Sequence, residues 1–247
     1  MPDFIKKFTD SDSIRYFKEL DLLWKNPLKE CSTIFVLATD IRKTEKGEKG
    51  SWKNSDNFTF CDKDERGALD NYFRLDAVVK LIKEQRTKKI ILVGGFNDKK
   101  GIKEDKTKIM KDYITEKLIK SSELGDIEAV QCSPGNTCGN IKEIIRCLEN
   151  EEKTTIGILT NLYHLPRIEK LIKDYNKKYL KRLVFLPAEK ELLSKKNIKT
   201  KTKIIRFYDS ILMMKRFCSE IEGIKNKEYT CNGHLNVLKK SVIRNPN

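Results

Sequence analysis

Histidine is scarce in this chain, and so are paired cysteines and long apolar runs. His164 and His234 are the only histidines in 247 residues, which excludes by inventory any metal site built on three or more imidazoles. The seven cysteines are odd in number and contain no Cys-x-x-Cys pair, which argues against a zinc ribbon or a paired disulfide framework and for reduced, mostly structural thiols. Runs such as Ile34–Ala38 and Ile90–Val93 fall far short of the roughly 20 apolar residues that a helix needs to span a bilayer. Asp3, Lys6, Lys7, Asp10 and Asp12 interrupt the N-terminus where a secretory signal would carry a continuous apolar stretch. No membrane span and a cytoplasmic location are expected.

Lysine is abundant. The formal net charge is +15, and clustered cations of this kind steer proteins toward phosphates. The lysines, however, are spread through nearly every block and often sit beside acids, as in Lys103-Glu104-Asp105-Lys106. They also outnumber the arginines that make bidentate contacts. The pattern favours a solvated basic surface over a nucleic-acid face, and nucleic acid stays open only as a minor alternative.

Short β-branched runs alternate with segments of helical period, the arrangement of βαβ units in an α/β protein with a mainly parallel sheet. Five strands are predicted at Thr33–Thr39, Lys89–Val93, Glu128–Gln131, Thr155–Thr160 and Leu183–Leu186. Four are apolar through their interiors, as strands covered on both faces should be. Phe73, Ala77, Val78, Leu81 and Ile82 share one helical face, and Ile141, Ile144, Ile145 and Leu148 share another. A helix with Ile168, Leu171, Ile172 and Tyr175 begins around Pro166, whose fixed φ suits a first turn. A further helix is predicted from Ser11 or Asp12 to Trp24, another from about Thr202 to Ile221, and a long polar loop over Lys43–Asp64 of the kind that serves as a lid or binding loop. The domain reading is a helical appendage over 1–30, one α/β domain over 31–225, and a tail over 226–247.

In open parallel sheets, ligands bind beyond the carboxyl ends of the strands. Thr39, Asp40 and Arg42 follow the first strand; Gly94, Gly95 and Asn97 the second; Ser133, Asn136, Thr137 and Asn140 the third; Thr160, Asn161, Tyr163, His164 and Arg167 the fourth. All four sets fall on one sheet edge. Gly94-Gly95 permits either a tight turn or a close backbone approach to a ligand, and neither a P-loop nor a Gly-x-Gly-x-x-Gly pattern is present. Thr137 or Asn140 would cap the helix that follows, although one cap does not account for so many small polar residues. His164 and Arg167 flank a helix start, where the imidazole could move a proton and the guanidinium could hold an anion. Capping and salt bridging are the corresponding structural roles.

These residues give the chain a resemblance to the ElyC/SanA/YdcF family, over roughly Thr33 to Pro187. The matching elements are the apolar first strand, Arg74 in the first crossover helix, and Val93-Gly94-Gly95 for the family's Ser-Gly-Gly. Thr137-Cys138-Gly139-Asn140 stands for Thr-x-x-Asn, and Thr160 with His164-Leu165-Pro166-Arg167 for Thr-Ser-x-x-His-x-x-Arg. Thr39-Asp40 stands where many members carry glycines, Gly139 where an acidic residue is frequent, and Asn161 where serine is common. Many members also carry an N-terminal membrane segment, which this sequence does not show. The resemblance implies a Rossmann-like three-layer α/β/α fold with about five strands plus N- and C-terminal helices. It also implies a site for a phosphate-bearing or nucleotide-like anionic small molecule. His164 would be the general acid or base and Arg167 the anion clamp of a transferase or hydrolase. Thr39, Asp40, Arg42, Arg74, Gly94, Gly95, Asn97, Thr137, Asn140, Thr160, Asn161 and Tyr163 would line the ligand. A non-catalytic module that binds a nucleotide or S-adenosylmethionine is the alternative; the ligand stays unidentified and no metal is expected.

Overall fold

The computed structural model describes residues 10–38, 40–44, 52–96, 104–119, 126–132, 136–150, 155–193 and 198–225. Helix α1 (Ser11–Lys25) leads into strand β1 (Thr33–Leu37), followed by short strands β2 (Ile41–Lys43), β3 (Phe58–Phe60), β4 (Lys63–Asp64) and β5 (Gly67–Ala68). Helix α2 (Asn71–Lys83), β6 (Lys89–Gly94), α3 (Lys106–Leu118), β7 (Asp126–Gln131), α4 (Thr137–Asn150), β8 (Ile156–Thr160), α5 (Leu165–Asn176) and β9 (Leu183–Pro187) come next. Helices α6 (Ala188–Leu193), α7 (Ile198–Tyr208) and α8 (Ile211–Lys225) complete the described chain. The main sheet has five strands in the order β7-β6-β1-β8-β9, and every neighbouring pair in it is parallel. This is the α/β Rossmann-like architecture, with helices on both faces.

The period of two along each strand explains the layering. Ile34 and Val36 of β1 and Ile90 and Leu92 of β6 face one core with α2 and α3. Phe35, Leu37, Ile91 and Val93 face the other, with α4 and α5. Strand β7 is at an edge and is largely exposed, which is why its sequence alone among the five was not apolar through its interior. A third core joins α1 and α8 to Leu162, Tyr163 and Leu165, directly beyond β8. There the Tyr16 hydroxyl donates to the carbonyl of Tyr163 at 2.5 Å, so α1 is pinned to the segment after β8.

Three sequence expectations are corrected. Part of Lys43–Asp64 is strand rather than loop: β2 pairs antiparallel with β3, and β4 with β5. Its aromatics are the reason. Trp52 stacks on Phe60 at 5.5 Å, Phe60 meets Tyr72 and Tyr113 edge-on, and the Trp52 indole donates to Glu116 at 2.7 Å. Second, the single C-terminal helix is two, because Ser210 caps a new start: its hydroxyl accepts from the amide of Met213 at 3.1 Å. Third, Cys138 is disulfide-bonded, whereas Cys31, Cys132 and Cys218 are free thiols. No helix among the described residues is long and apolar enough to cross a membrane. The tail over 226–247 lies outside the described residues.

Candidate functional site

From β1 the chain turns to β6 on one side, while β8 lies on the other and continues to β9. The carboxyl ends of β1 and β8 are therefore the topological switch point, where open sheets of this kind bind ligands. Arg74, one turn into α2, reaches that switch point. One of its terminal nitrogens (Nη1) donates to the carbonyls of Leu37 and Ala38, both at 3.1 Å, and Nε donates to the side-chain oxygen of Asn161. It thus ties the end of β1 to the first residue after β8.

Arg74 is only 4% exposed, yet no carboxylate among the described residues pairs with it; its acceptors are two carbonyls and an amide. A buried cation with only neutral partners is costly. The nearest connection to an acid runs through Asn161, whose amide nitrogen donates to Glu189 at 2.8 Å. Glu189 is fully buried and also accepts from the amide of Leu162 at 2.8 Å and the hydroxyl of Tyr208 at 2.9 Å. Burial raises its pKa, so its own charge is disfavoured.

His164 closes a single 3-10 turn over Leu162–His164, and Pro166 sits in the first turn of α5 as the sequence indicates. The Nδ1 of His164 lies 2.9 Å from Glu220 Oε2. Burial pushes the imidazole below its ordinary pKa; Glu220 pulls it up, and the Arg74 and Arg167 cations push it down again. Burial also raises Glu220, but His164, Arg167 and Arg216 outweigh that and hold its carboxyl at about 2. The stable arrangement is a neutral imidazole donating from Nδ1 to a charged carboxylate. Nε2, which has no partner among the described residues, is then left with its lone pair.

Arg167 is turned toward α8. One of its terminal nitrogens lies 3.8 Å from Glu220 Oε2, and a Cβ at Gly223 would lie 2.9 Å from its Cζ and Nε. Glycine at 223 leaves the space the guanidinium uses. Thus Arg167 is already beside a carboxylate, whereas Arg74 is not.

The other sequence candidates divide. Asn161, Tyr163 and Thr160 stand with Arg74 and His164 at the end of β8; the Tyr163 hydroxyl donates to Leu69 at 3.0 Å, and Thr160 is buried with no partner for its hydroxyl. Asn140 lies buried in the first turn of α4, its amide oxygen also without a partner. Asn136, not Thr137 or Asn140, caps that helix, accepting from Gly139 at 3.1 Å. Thr137 is the first residue of α4. Gly94 is explained by packing, since a Cβ there would collide with Ala38 Cβ and lie 3.1 Å from Thr107 Cγ2. Gly95 is buried directly after it. Asp40 is paired with Lys106 at 3.0 Å. Arg42 sits on β2 across from Thr59, in the β2–β3 pair rather than at the strand end. Thr39 and Asn97, like Ser133, lie outside the described residues.

Sequence reasoning missed Glu189, Glu220, Arg216, Lys203, Asp70 and Asn71. The first four lie beyond Pro187, outside the span of the family resemblance. Glu189 was findable, because it follows the fifth strand as the other candidates follow theirs. Asp70 is 9% exposed, has φ of 27°, and pairs with Lys203 at 3.3 Å. Burial raises its pKa to about 6.

Among the described residues no group of three or more His, Cys, Asp or Glu is arranged to hold a metal ion. No protein-family model and no curated protein matches the chain.

Proposed function

We propose that this protein is a YdcF-like enzyme that binds a phosphate-bearing or nucleotide-like small molecule at the carboxyl ends of β1 and β8 and acts on it as a transferase or hydrolase. The observation that carries the reading is Arg74, a buried guanidinium at the topological switch point with no carboxylate partner among the described residues. An anion there would supply the missing countercharge. Arg167, shared with Glu220, is a secondary contributor. His164 is the proton carrier, with Glu220 fixing its tautomer so that Nε2 can accept. This role for Glu220 is what favours catalysis over passive binding by a nucleotide- or S-adenosylmethionine-sensing module, since a histidine that only donated a hydrogen bond would not need its other nitrogen held.

The test is thermal shift with phosphate, pyrophosphate, nucleotides and S-adenosylmethionine on the wild type, Arg74→Gln and Arg167→Ala. A ligand at about 100 times its Kd adds ~2.7 kcal/mol, or roughly 5–10 °C for a chain of this length. The expected order of loss is Arg74→Gln well ahead of Arg167→Ala. If no anion shifts the wild type, or Arg74→Gln responds like the wild type, the reading is wrong.

A further inference from the structure

The same sheet edge carries information about the rest of the ligand. Six buried side-chain atoms among the described residues have no hydrogen-bond partner. One, Arg182 Nε, immediately precedes β9 at the amino edge of the sheet. The other five belong to residues that topology places at the carboxyl edge: Asp70 Oδ1 and Asn71 Oδ1 where α2 begins, Asn140 Oδ1 in the first turn of α4, Thr160 Oγ1 at the end of β8, and Arg167 Nε in the first turn of α5. Buried polar groups are nearly always satisfied, so a concentration of unsatisfied ones at one edge points to a missing partner.

Their chemistry is lopsided. Asp70 Oδ1 is a carboxylate oxygen. Asn71 Oδ1 is fixed as an acceptor, because the amide nitrogen of the same side chain donates to the carbonyls of Cys61 at 2.6 Å and Asp40 at 3.2 Å. Asn140 offers an amide oxygen, and the Thr160 hydroxyl can give or take. Asn71 precedes Arg74 by three residues on α2, so those two share a helical face, and Asp70 is the residue just before that helix. A buried cation with no carboxylate partner among the described residues therefore shares the carboxyl edge of the sheet with several acceptors that lack donors. A bare phosphate answers only the cation and leaves the buried acceptors unmet, a costly arrangement.

Building on the anion site proposed above, we infer that the ligand is a phosphate monoester of a polyhydroxylated sugar: its phosphate on Arg74 and its hydroxyls donating to Asp70, Asn71, Asn140 and Thr160. A free sugar phosphate and a nucleoside monophosphate share this chemistry.

Calorimetric titration decides it, with inorganic phosphate, ribose 5-phosphate, 2-deoxyribose 5-phosphate and adenosine 5′-monophosphate as probes. Thr160→Val and Asn140→Leu are the variants, because each removes a polar atom that holds nothing in the free protein; circular dichroism confirms that they fold. Ribose 5-phosphate is expected to bind at least about 10-fold more tightly than phosphate, and each variant to weaken it about 3- to 10-fold while leaving phosphate unchanged. Loss of affinity in the deoxy sugar supports the hydroxyl assignment. Tighter binding of the nucleotide than of ribose 5-phosphate identifies nucleotides as the source, and the reverse identifies free sugar phosphates. Phosphate and ribose 5-phosphate binding equally, with Arg74 required for both, overturns the sugar and leaves the anion site standing. Tighter ribose 5-phosphate binding that neither variant alters overturns the assignment to these residues. If neither phosphate nor ribose 5-phosphate binds, the inference and the anion site fall together.

Discussion

Glu220→Gln is the most exacting test of the site, because it keeps the side chain's shape and removes only its charge. Glu220 is 2% exposed and lies 2.9 Å from His164 Nδ1, 3.8 Å from Arg167 and 3.9 Å from Arg216. Its carboxyl is held at about 2 against an ordinary 4.5. At about 1.4 kcal/mol per unit, that difference corresponds to about 3 kcal/mol of stability at pH 7. The sign follows from the depression: the contribution is complete above about pH 4.5 and is lost as pH falls toward the folded value. Roughly 2 kcal/mol of it has gone by pH 3. Urea denaturation of wild type and Glu220→Gln should therefore differ by about 3 kcal/mol at pH 7, or roughly 6–10 °C in Tm.

A second readout separates charge from packing. With Glu220 charged, the neutral imidazole should carry its proton on Nδ1, and 15N shifts report the tautomer directly. The chain has two histidines, so a His234→Ala background assigns the signals. In Glu220→Gln the Nδ1 proton loses its anionic acceptor, the tautomers should mix, and the His164 pKa should fall further because the one group raising it is gone. A stability difference below about 1 kcal/mol at pH 7, or an unchanged tautomer, would refute the assigned pairing.

Three further perturbations test other parts of the reading. His164→Gln should lower turnover of a bound phosphate ester by about 100-fold or more while its Kd holds; unchanged turnover removes His164 from proton transfer. Asp70→Asn should stabilise the protein by about 1–3 kcal/mol at pH 8 and hardly at all at pH 4. The raised pKa of Asp70, about 6, means that its carboxylate costs stability as pH rises through that value, and asparagine tolerates its positive φ at least as well. Denaturation at the two pH values checks this, and equal effects would refute it. Gly94→Ala should cost about 2 kcal/mol or more, because its Cβ would collide with Ala38; a neutral result would return Gly94 to the ligand-facing role that the glycine pair first suggested.

The sheet was legible because each strand is a short apolar run with its faces sorted by parity, and that signal is local. Strand ends moved by two residues or fewer, as cap and pairing geometry dictated rather than composition. The β2–β3 pair was hidden in a polar stretch, since the aromatics it packs against, Tyr72 and Tyr113, lie on the following helices α2 and α3. The site divides in the same way. Residues one step beyond a strand, such as Asn161, His164 and Thr160, could be grouped from sequence because the sheet fixes where all strand ends go. Glu220 could not: nothing in Arg216-x-x-x-Glu220 distinguishes an ordinary helical ion pair from the carboxylate that orients the only described histidine.

That asymmetry bears on what the arginines do. By spacing, Arg167 beside His164 looked like the clamp, whereas Arg74 entered through the family resemblance as one of the residues lining the ligand. Folding reverses their electrostatic positions, for Glu220 reaches Arg167 from α8, whereas Arg74 is sealed against carbonyls and an amide. A cation's readiness to take an anionic ligand depends on whether the fold has already answered its charge. Countercharge from helices beyond Pro187 is what the strand-end pattern could not supply. The C-terminal helices are accordingly part of the site's wall: Glu189, Lys203, Arg216 and Glu220 each hold a residue of the β8 segment or of the approach to α2.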